Sequence, residues 1–422
     1  MSFETISVIG LGYIGLPTAA MFASRKKKVI GVDVNQKAVD TINRGEIHIV
    51  EPELDIIVRS VVKDGYLKAV TSPEPADAFL IAVPTPFKSN GSEIPEPELG
   101  YIERAAKAIA PVLKKGDLVI LESTSPVGAT EQMAEWLASS RPDLSFPQQV
   151  GENADVSVAH CPERVLPGHV VRELVENDRV IGGMSNKCSE RAIELYQTFV
   201  EGECVKTNAR TAEMAKLTEN SCRDVQIAFA NELSLICDEL NIDVWEHISL
   251  ANRHPRINIL QPGPGVGGHC IAVDPWFIVS KTPELSKLIH TARVVNDSKP
   301  DWVIHKVKDS IFNLLQENPD KTASQITIAC FGLAFKANID DLRESPAMNI
   351  ATGIARLHSG KVLAVEPNIR ELPPAINLDL VSHESALDVA DIMVLLVDHR
   401  EFKVLMPRKG SIVIDTKGIW PR

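Results

Sequence analysis

The segment ISVIGLGYIGLPTAA constrains this chain more than any other. A short β-branched run, Thr5–Ile9, passes directly into Gly10, Gly12 and Gly15 spaced as G-x-G-x-x-G, and a helix-forming stretch follows. Gly10 permits a tight turn, Gly12 lets backbone approach a pyrophosphate, and Gly15 allows close helix–strand packing. The N–H groups of Tyr13 and Ile14 would then point from a helix N-terminus at phosphates. Pro17 falls in the opening turn, where a missing N–H costs little. The glycines alone are a weak signal, but the next strand, VIGVDVN, ends at Asp33. A carboxylate there suits the ribose hydroxyls of an adenosine and repels a 2′-phosphate, so NAD is expected over NADP. The plainer alternative is a glycine-rich structural turn with Asp33 opening the next helix.

The rest of the N-terminal half repeats the same grammar. Strands are expected at Val29–Asp33, Phe79–Val83, Leu118–Glu122, Val156–His160 and Arg179–Ile181, with helical patterns such as Leu99–Leu113 and Ala129–Leu137 between them. Such alternation predicts a parallel sheet covered on both faces. From Thr211 to Asn252 apolar residues recur at helical spacing without a break. A glycine- and proline-rich loop, QPGPGVGGHC, follows, and helix returns, including Trp302–Leu315. Alternation resumes with ITIACFG, KVLAVEP, DIMVLLVD and SIVID. The expected α/β architecture is two Rossmann-like doubly wound parallel-sheet domains, over 1–208 and 319–422, joined by a long helical connector over 209–318.

Composition narrows the function. With 44% hydrophobic and 24% charged residues, and no apolar run of bilayer length, the chain reads as a globular protein without membrane insertion. A formal charge of −12 argues against broad nucleic-acid binding, which needs a positive field. The N-terminus enters a strand without a basic stretch and cleavage site, so a cytoplasmic location is expected. Seven cysteines occur without CxxC pairs, so neither a disulfide framework nor a metal site is expected.

Loops after the strands should line one edge of the first sheet. AVPTP places Thr85 there and LESTSP places Thr124, both as cofactor contacts. Thr130 either joins them or caps the helix that it begins. In GPGVGGHCIAVDPW, Gly267 and Gly268 free the backbone to bring Cys270 to a ligand, with Asp274 close behind. An ionised thiol is a strong nucleophile. Beside NAD it permits two successive oxidations: an alcohol becomes an aldehyde, the thiol captures it, and a second oxidation leaves a thioester for water to cleave. A buried structural cysteine is the competing reading.

These segments, together with INRGEIHIVEPEL, CPERVLPG, NDRVIGG, TAEMAKLTENS, ANRHPRINILQPGPGVGGHCIAVDPWF and FGLAFKANIDDLRESPA, resemble the UDP-glucose/GDP-mannose dehydrogenase family end to end. The resemblance implies a nucleotide-sugar dehydrogenase with Cys270 as nucleophile. Lys216 would stabilise the developing oxyanion, with Asn220 one helical turn away. Glu163 would activate the hydrolytic water and Asp274 would support the thiol. It further implies that Gly267, Phe335, Lys336 and Lys417 contact the UDP-sugar, that Arg164, Val165 and Arg223 do so too, and that Arg343 reaches the NAD phosphates. His254 and Arg256 would be lent to the neighbouring subunit of a homodimer. Arg223 and RHPRIN favour an N-acetylmannosamine-type sugar, as used for surface polysaccharide of the enterobacterial common antigen type. UDP-glucose, UDP-N-acetylglucosamine and GDP-mannose are the alternatives.

Each assignment has a plainer rival. Lys216 could lie on a solvated face or pair with Glu213 or Glu219; Glu163 could pair with Arg164; Arg343 could form a surface ion pair among Asp340, Asp341 and Glu344. Relatives often carry Pro where this chain has Ala337, which should loosen the turn after Lys336. A two-electron hydroxyacid dehydrogenase, with Cys270 inert, and a non-catalytic NAD-binding protein are the other classes to exclude.

Overall fold

The computed structural model describes residues 3–49, 51–88, 91–165, 168–268, 270–374 and 376–420. The chain divides into two compact units. One comprises Met1–Glu219 with Trp276–Thr282, and the other Asn220–Pro275 with Pro283–Arg422.

The first unit is built on a sheet of eight strands: β1 Thr5–Ile9, β2 Lys28–Val32, β3 Leu67–Val70, β4 Ala78–Ile81, β5 Leu118–Leu121, β6 Ser157–His160, β7 Arg179–Gly183 and β8 Cys204–Asn208. Their order is β3-β2-β1-β4-β5-β6-β7-β8. Both faces are apolar: Ile6, Val8, Leu80 and Ile120 pack on one side, and Ile9, Phe79, Ile81 and Val119 on the other. The strand order reverses between β1 and β4, and the carboxyl ends of strands at such a point form the ligand crevice of an open α/β sheet.

The sheet departs from the all-parallel expectation in one place. β6 and β7 run antiparallel, pairing Ala159 with Gly183 and His160 with Gly182, while β8 runs parallel to β7. Among the described residues between β6 and β7, the one regular element is the short helix Val170–Glu176. No crossover to the opposite edge is made, so the chain re-enters the sheet from the edge it has just left. Arg179, which opens β7, therefore lies beyond the end of β6, on the ligand edge.

The second unit carries β9 Ile328–Phe331, β10 Val362–Val365, β11 Asp379–Leu380, β12 Ile392–Leu395 and β13 Ile412–Asp415. All pair in parallel, in the order β11-β10-β9-β12-β13. Again the order reverses beside the first strand, and the loops bearing Phe335, Lys336 and Lys417 leave the carboxyl ends of β9 and β13.

The long helical pattern is broken at a point that its apolar rhythm does not mark. One helix spans Ala209–Glu239 and a second Val244–Ala251. Asn241 adopts φ 54 and Ile242 N–H returns to Cys237 O at 2.7 Å, a left-handed stop. Asp243 then caps the next helix by accepting from Trp245 N–H at 2.8 Å. The later helix is longer than expected, Lys287–Glu317, and runs through Pro300. Gly265, at φ 137, sits against that point: a Cβ there would lie 3.3 Å from Asn296 O and 3.4 Å from Pro300 Cδ.

Candidate active site

The glycine turn after β1 is shaped by its neighbours. Gly10 has φ 92, its N–H donates to Val32 O at 2.8 Å, and a Cβ on it would stand 2.5 Å from Ala82 O. A Cβ on Gly15 would fall 1.8 Å from Gly10 O. Gly12 differs, because a Cβ there would meet nothing within 4 Å. The protein's own packing does not require that glycine, and the space in front of it is free for a ligand. Ile14 caps the helix Gly15–Ser24, and no side chain supplies a capping hydrogen bond. A helix start left this way, with Tyr13 in its approach, fits a phosphate. Asp33 Oδ2 accepts from Leu11 N–H and Oδ1 from Asn35 N–H, both at 2.9 Å, so the carboxylate is fixed beside the turn while only half-buried. The residues present fit a bound NAD.

At the ends of β4 and β5, Thr85 Oγ1 donates to Thr124 O at 2.6 Å, which ties the two loops together. Thr130 does not join them. It is 0% exposed, and its hydroxyl donates to Glu213 at 2.6 Å. The same carboxylate accepts from Thr130 N–H at 2.8 Å and Gly128 N–H at 2.7 Å, so Glu213 caps the helix Ala129–Ser140. Burial raises the Glu213 carboxyl against the pull of these donors. Of the two expectations for Thr130, contact with the cofactor or a place in the helix cap, these bonds favour the cap, with Glu213 as the acceptor.

Glu163 is nearly buried and its partner is not Arg164's side chain. Oε2 pairs with Arg179 Nη2 at 2.9 Å, while Oε1 accepts from Arg164 N–H at 2.6 Å. The Arg164 guanidinium pairs instead with Glu219 at 2.7 Å, and Val165 packs on the first apolar face. Behind Glu163 lies a group absent from the sequence reading. Glu122, 1% exposed, stands 3.7 Å from Arg179 Nη1 and accepts from Tyr196 Oη at 3.1 Å. The visible signals were a carboxylate after the apolar run LVIL and a cation opening the strand RVIGG. Lys216 is half-buried on the helix Ala209–Glu239, and among the described residues it pairs with neither Glu213 nor Glu219.

In the second unit the thiol loop is held at several points. The N–H groups of Val273 and Asp274 donate to Cys270 O at 3.0 and 2.8 Å, leading into the helix Asp274–Lys281. Asp274 is 2% exposed and accepts from Asn220 Nδ2 at 2.5 Å. Cys270 itself is partly exposed. Gly267 and Gly268 serve packing as well as freedom, since a Cβ on either would lie within 2.9 Å of the Phe335 side chain. Phe335 and the thiol loop are thereby brought together. A buried polar chain the sequence did not reveal steadies the loop's start: Gly263 N–H donates to Asn231, Asn231 to Asn296, and Asn296 and Arg293 to Asp224.

Three cations differ in their freedom. Lys336 is exposed. Lys417 pairs with Asp398 at 3.3 Å, and its Nζ is 3.8 Å from where a Cβ on Gly263 would lie. Arg343 makes a two-pronged contact with Asp341, at 2.9 Å from Nε and 2.6 Å from Nη2, the ion-pair arrangement. Arg223, His254 and Arg256 are exposed.

The chain belongs to the UDP-glucose/GDP-mannose dehydrogenase family. The family's NAD binding domain matches residues 4–200, its central domain 210–298 and its UDP binding domain 329–422. It is an NAD-dependent nucleotide-sugar dehydrogenase. It is 68% identical to the UDP-N-acetyl-D-mannosamine dehydrogenase of Yersinia pestis, with the whole of both chains covered. An NDP-N-acetyl-D-galactosaminuronic acid dehydrogenase of Ralstonia nicotianae is 64% identical over 100% of this chain and 97% of its own. Among solved structures, the UDP-D-ManNAc dehydrogenase of Pyrococcus horikoshii superposes with a TM-score of 0.86 at 39% identity, covering 98% of this chain and 96% of that one. Among the described residues no helix is long and apolar enough to cross a membrane.

Proposed function

We propose that this enzyme oxidises UDP-N-acetyl-D-mannosamine to UDP-N-acetyl-D-mannosaminuronate through a covalent intermediate on Cys270. The observation that carries the chemistry is the 2.5 Å hydrogen bond from Asn220 to Asp274 directly beside the thiol loop. It gives two of the expected catalytic side chains a fixed relation to Cys270's own backbone. The identity to the Yersinia enzyme, end to end, carries the choice of sugar.

The glycine turn and Asp33 would hold NAD, which would supply the hydride acceptor for each of two oxidations. The residues do the rest. Lys216 stabilises the oxyanion and relays the alcohol proton, a contribution of electrostatic type. Cys270 sulfur adds to the aldehyde carbon to give a thiohemiacetal, whose oxidation leaves a thioester. Glu163 takes a proton from the water that cleaves it. Per sugar, one alcohol, two NAD and one water yield one carboxylate, two NADH and three protons. Gly12, Tyr13, Ile14, Thr85 and Thr124 line the cofactor; Arg343 joins them by exchanging Asp341 for a phosphate. Phe335, Lys336, Lys417, Gly267, Arg164, Val165 and Arg223 hold the UDP-sugar, the cations by charge-assisted contacts.

The functional division is three-part, 1–208 for NAD, 209–318 for the thiol loop and dimerisation, and 319–422 for UDP. A homodimer is supported by Phe229, Ile236 and Leu240, exposed apolar side chains at helical spacing on the Ala209–Glu239 helix and just beyond it. His254 and Arg256, exposed in one copy, would serve the other. The enzyme would act in the cytoplasm, where its product would feed surface polysaccharide of the common-antigen type.

Incubating the purified enzyme with NAD and each UDP-sugar in turn tests this reading. It predicts two NADH per UDP-N-acetylmannosamine consumed. One NADH per sugar would remove the thioester, and preference for UDP-N-acetylgalactosamine, suggested by the Ralstonia relative, or for UDP-glucose would change the substrate.

A further inference from the structure

Glu163 is held at both oxygens, which fixes the plane of its carboxylate and leaves further lone pairs open. The arginine that holds it is itself immobilised. Its guanidinium lies 4.7 Å from the Tyr196 ring centroid and 5.6 Å from that of Phe199, with Nη1 3.8 Å from Cys161 Sγ. It is 4% exposed. A cation so placed cannot reach solvent, and its charge must be answered by what surrounds it.

Two carboxylates flank it, yet they are not equivalent. Glu163 makes a direct 2.9 Å bond, whereas Glu122 stands 3.7 Å away and takes its hydrogen bonds from Tyr196 and, at 3.5 Å, from Thr18. Among the described residues Glu122 Oε2 has no partner, an arrangement that suits a proton on that oxygen. We propose that Arg179 is the positioning residue for Glu163 in hydrolysis of the Cys270 thioester, and that Glu122 stands behind it as a neutral carboxylic acid. The proposal rests on the reading of Glu163 as the base in that step.

A neutral Glu122 does not compete for the guanidinium, so the whole of its charge aligns Glu163. Burial pushes Glu122 up to about 8, with Arg179 opposing. The other titratable groups around Arg179 are three thiol and phenol side chains and one acid. Burial pushes Cys161 up to about 12, carries Tyr196 well above its ordinary value and raises Cys204, while Asp178 lies next to Cys204. Burial would lower Arg179, but Glu163 and its neighbours hold it well above its ordinary value.

In the step concerned, the oxygen of water bonds to the thioester carbon and one water proton passes to Glu163. The carbon–sulfur bond breaks with its electron pair going to Cys270 sulfur, and the second proton leaves as the acid product ionises. A loosened Glu163 slows this step and not the oxidations that precede it. Covalent sugar then accumulates on Cys270. A residue that only supported the fold would slow all steps together.

The test measures the intact mass of the quenched full-length enzyme and the NADH burst, with NAD and UDP-N-acetylmannosamine. Glu163→Gln is expected to give a burst of two NADH per site and a sugar-mass adduct. Arg179→Lys and Arg179→Met should reproduce both, with steady turnover about 10²-fold lower and the burst rate near wild type. The lysine variant keeps the buried charge should the methionine variant fail to fold. Combining Arg179→Met with Glu163→Gln should add nothing to Glu163→Gln alone. In wild type the adduct fraction should rise as pH passes about 8, and in Glu122→Gln it should stay flat. An adduct with Glu163→Gln but not with either Arg179 variant overturns the positioning role alone. Unchanged pH dependence in Glu122→Gln overturns the role of Glu122. No adduct with Glu163→Gln removes the base and the proposal with it.

Discussion

Asp33 and Glu366 hold the same turn in two different sheets. Gly10 and Gly332 have φ of 92 and 90, and each donates its N–H to the strand alongside, to Val32 O and Val365 O, at 2.8 Å. The next N–H in each case meets the acid: Leu11 meets Asp33 at 2.9 Å and Leu333 meets Glu366 at 2.8 Å. There the likeness ends. Glu366 is 4% exposed and also binds His399 Nε2 at 3.0 Å, whose Nδ1 faces N–H donors from Asn338 and Asn368. With Nδ1 accepting from these groups, Nε2 is the ring's donor to Glu366. Burial raises the Glu366 carboxyl, but His399 and the backbone donors outweigh it.

Only the half-buried acid is therefore available to a ribose. Asp33→Ala should raise KM for NAD about tenfold, one charged hydrogen bond's worth, with little change in Tm. Glu366→Gln turns a donor toward other donors and should cost about 2 kcal/mol of stability while leaving KM for NAD alone. Titrating both variants with NAD and melting them decides the matter; matching effects in the two would refute the distinction.

Asn220→Asp would set a second carboxylate 2.5 Å from Asp274. Like charges that close cannot both ionise, so one must take up a proton or the loop must shift. Turnover should fall sharply and the loss of Tm should be greater at pH 8 than at pH 5. Equal loss at both values would mean that the contact matters only as packing.

Thr130→Val should lower stability by about 1–3 kcal/mol, because it strips a donor from the buried Glu213 carboxylate. Glu213→Ala removes the cap and should cost about 1–2 kcal/mol. Neither should move KM for NAD. A raised KM in Thr130→Val, with Tm unchanged, would return that hydroxyl to the cofactor.

Two buried groups bend the stability–pH curve in opposite senses. Burial pushes His160 down to about 3 from 6.5, so its contribution is present above 6.5 and lost as pH falls toward 3. Glu122, raised from 4.5 to about 8, contributes below 4.5 and loses that contribution as pH rises through 8. His160→Phe should flatten the acid side of a Tm–pH profile, and Glu122→Gln the side between 4.5 and 8. Profiles parallel to wild type would mean that these groups titrate alike folded and unfolded.

Much of this was legible from residue order because the signals are local. Gly10, Gly12, Gly15 and Asp33 sit within one strand–turn–helix unit, and the thiol loop declares itself by its glycines. What escaped depends on contacts distant in sequence or on very short elements. β3 and β11 are four and two residues long, and β8, CVKTN, alternates too weakly to stand out. The stop at Asn241 hid within an unbroken apolar rhythm, and Pro300 argued against a helix that tertiary packing nonetheless continues. Glu213 reads as an ordinary surface acid of an amphipathic helix until Gly128 and Thr130 are folded onto it. Arg179 gave no hint of its place, since its position depends on a strand reversing direction.

That reversal has a mechanical side. β6 and β7 adjoin, about 5 Å apart in the sheet, and Glu163 follows the first while Arg179 opens the second. The two strands cannot separate without tearing the sheet, so the acid is mounted on a clip and not on a trailing strap. Any motion that swings Glu163 outward has to break its bond to Arg179 first, so the stiffness of that ion pair sets how far the carboxylate can stray.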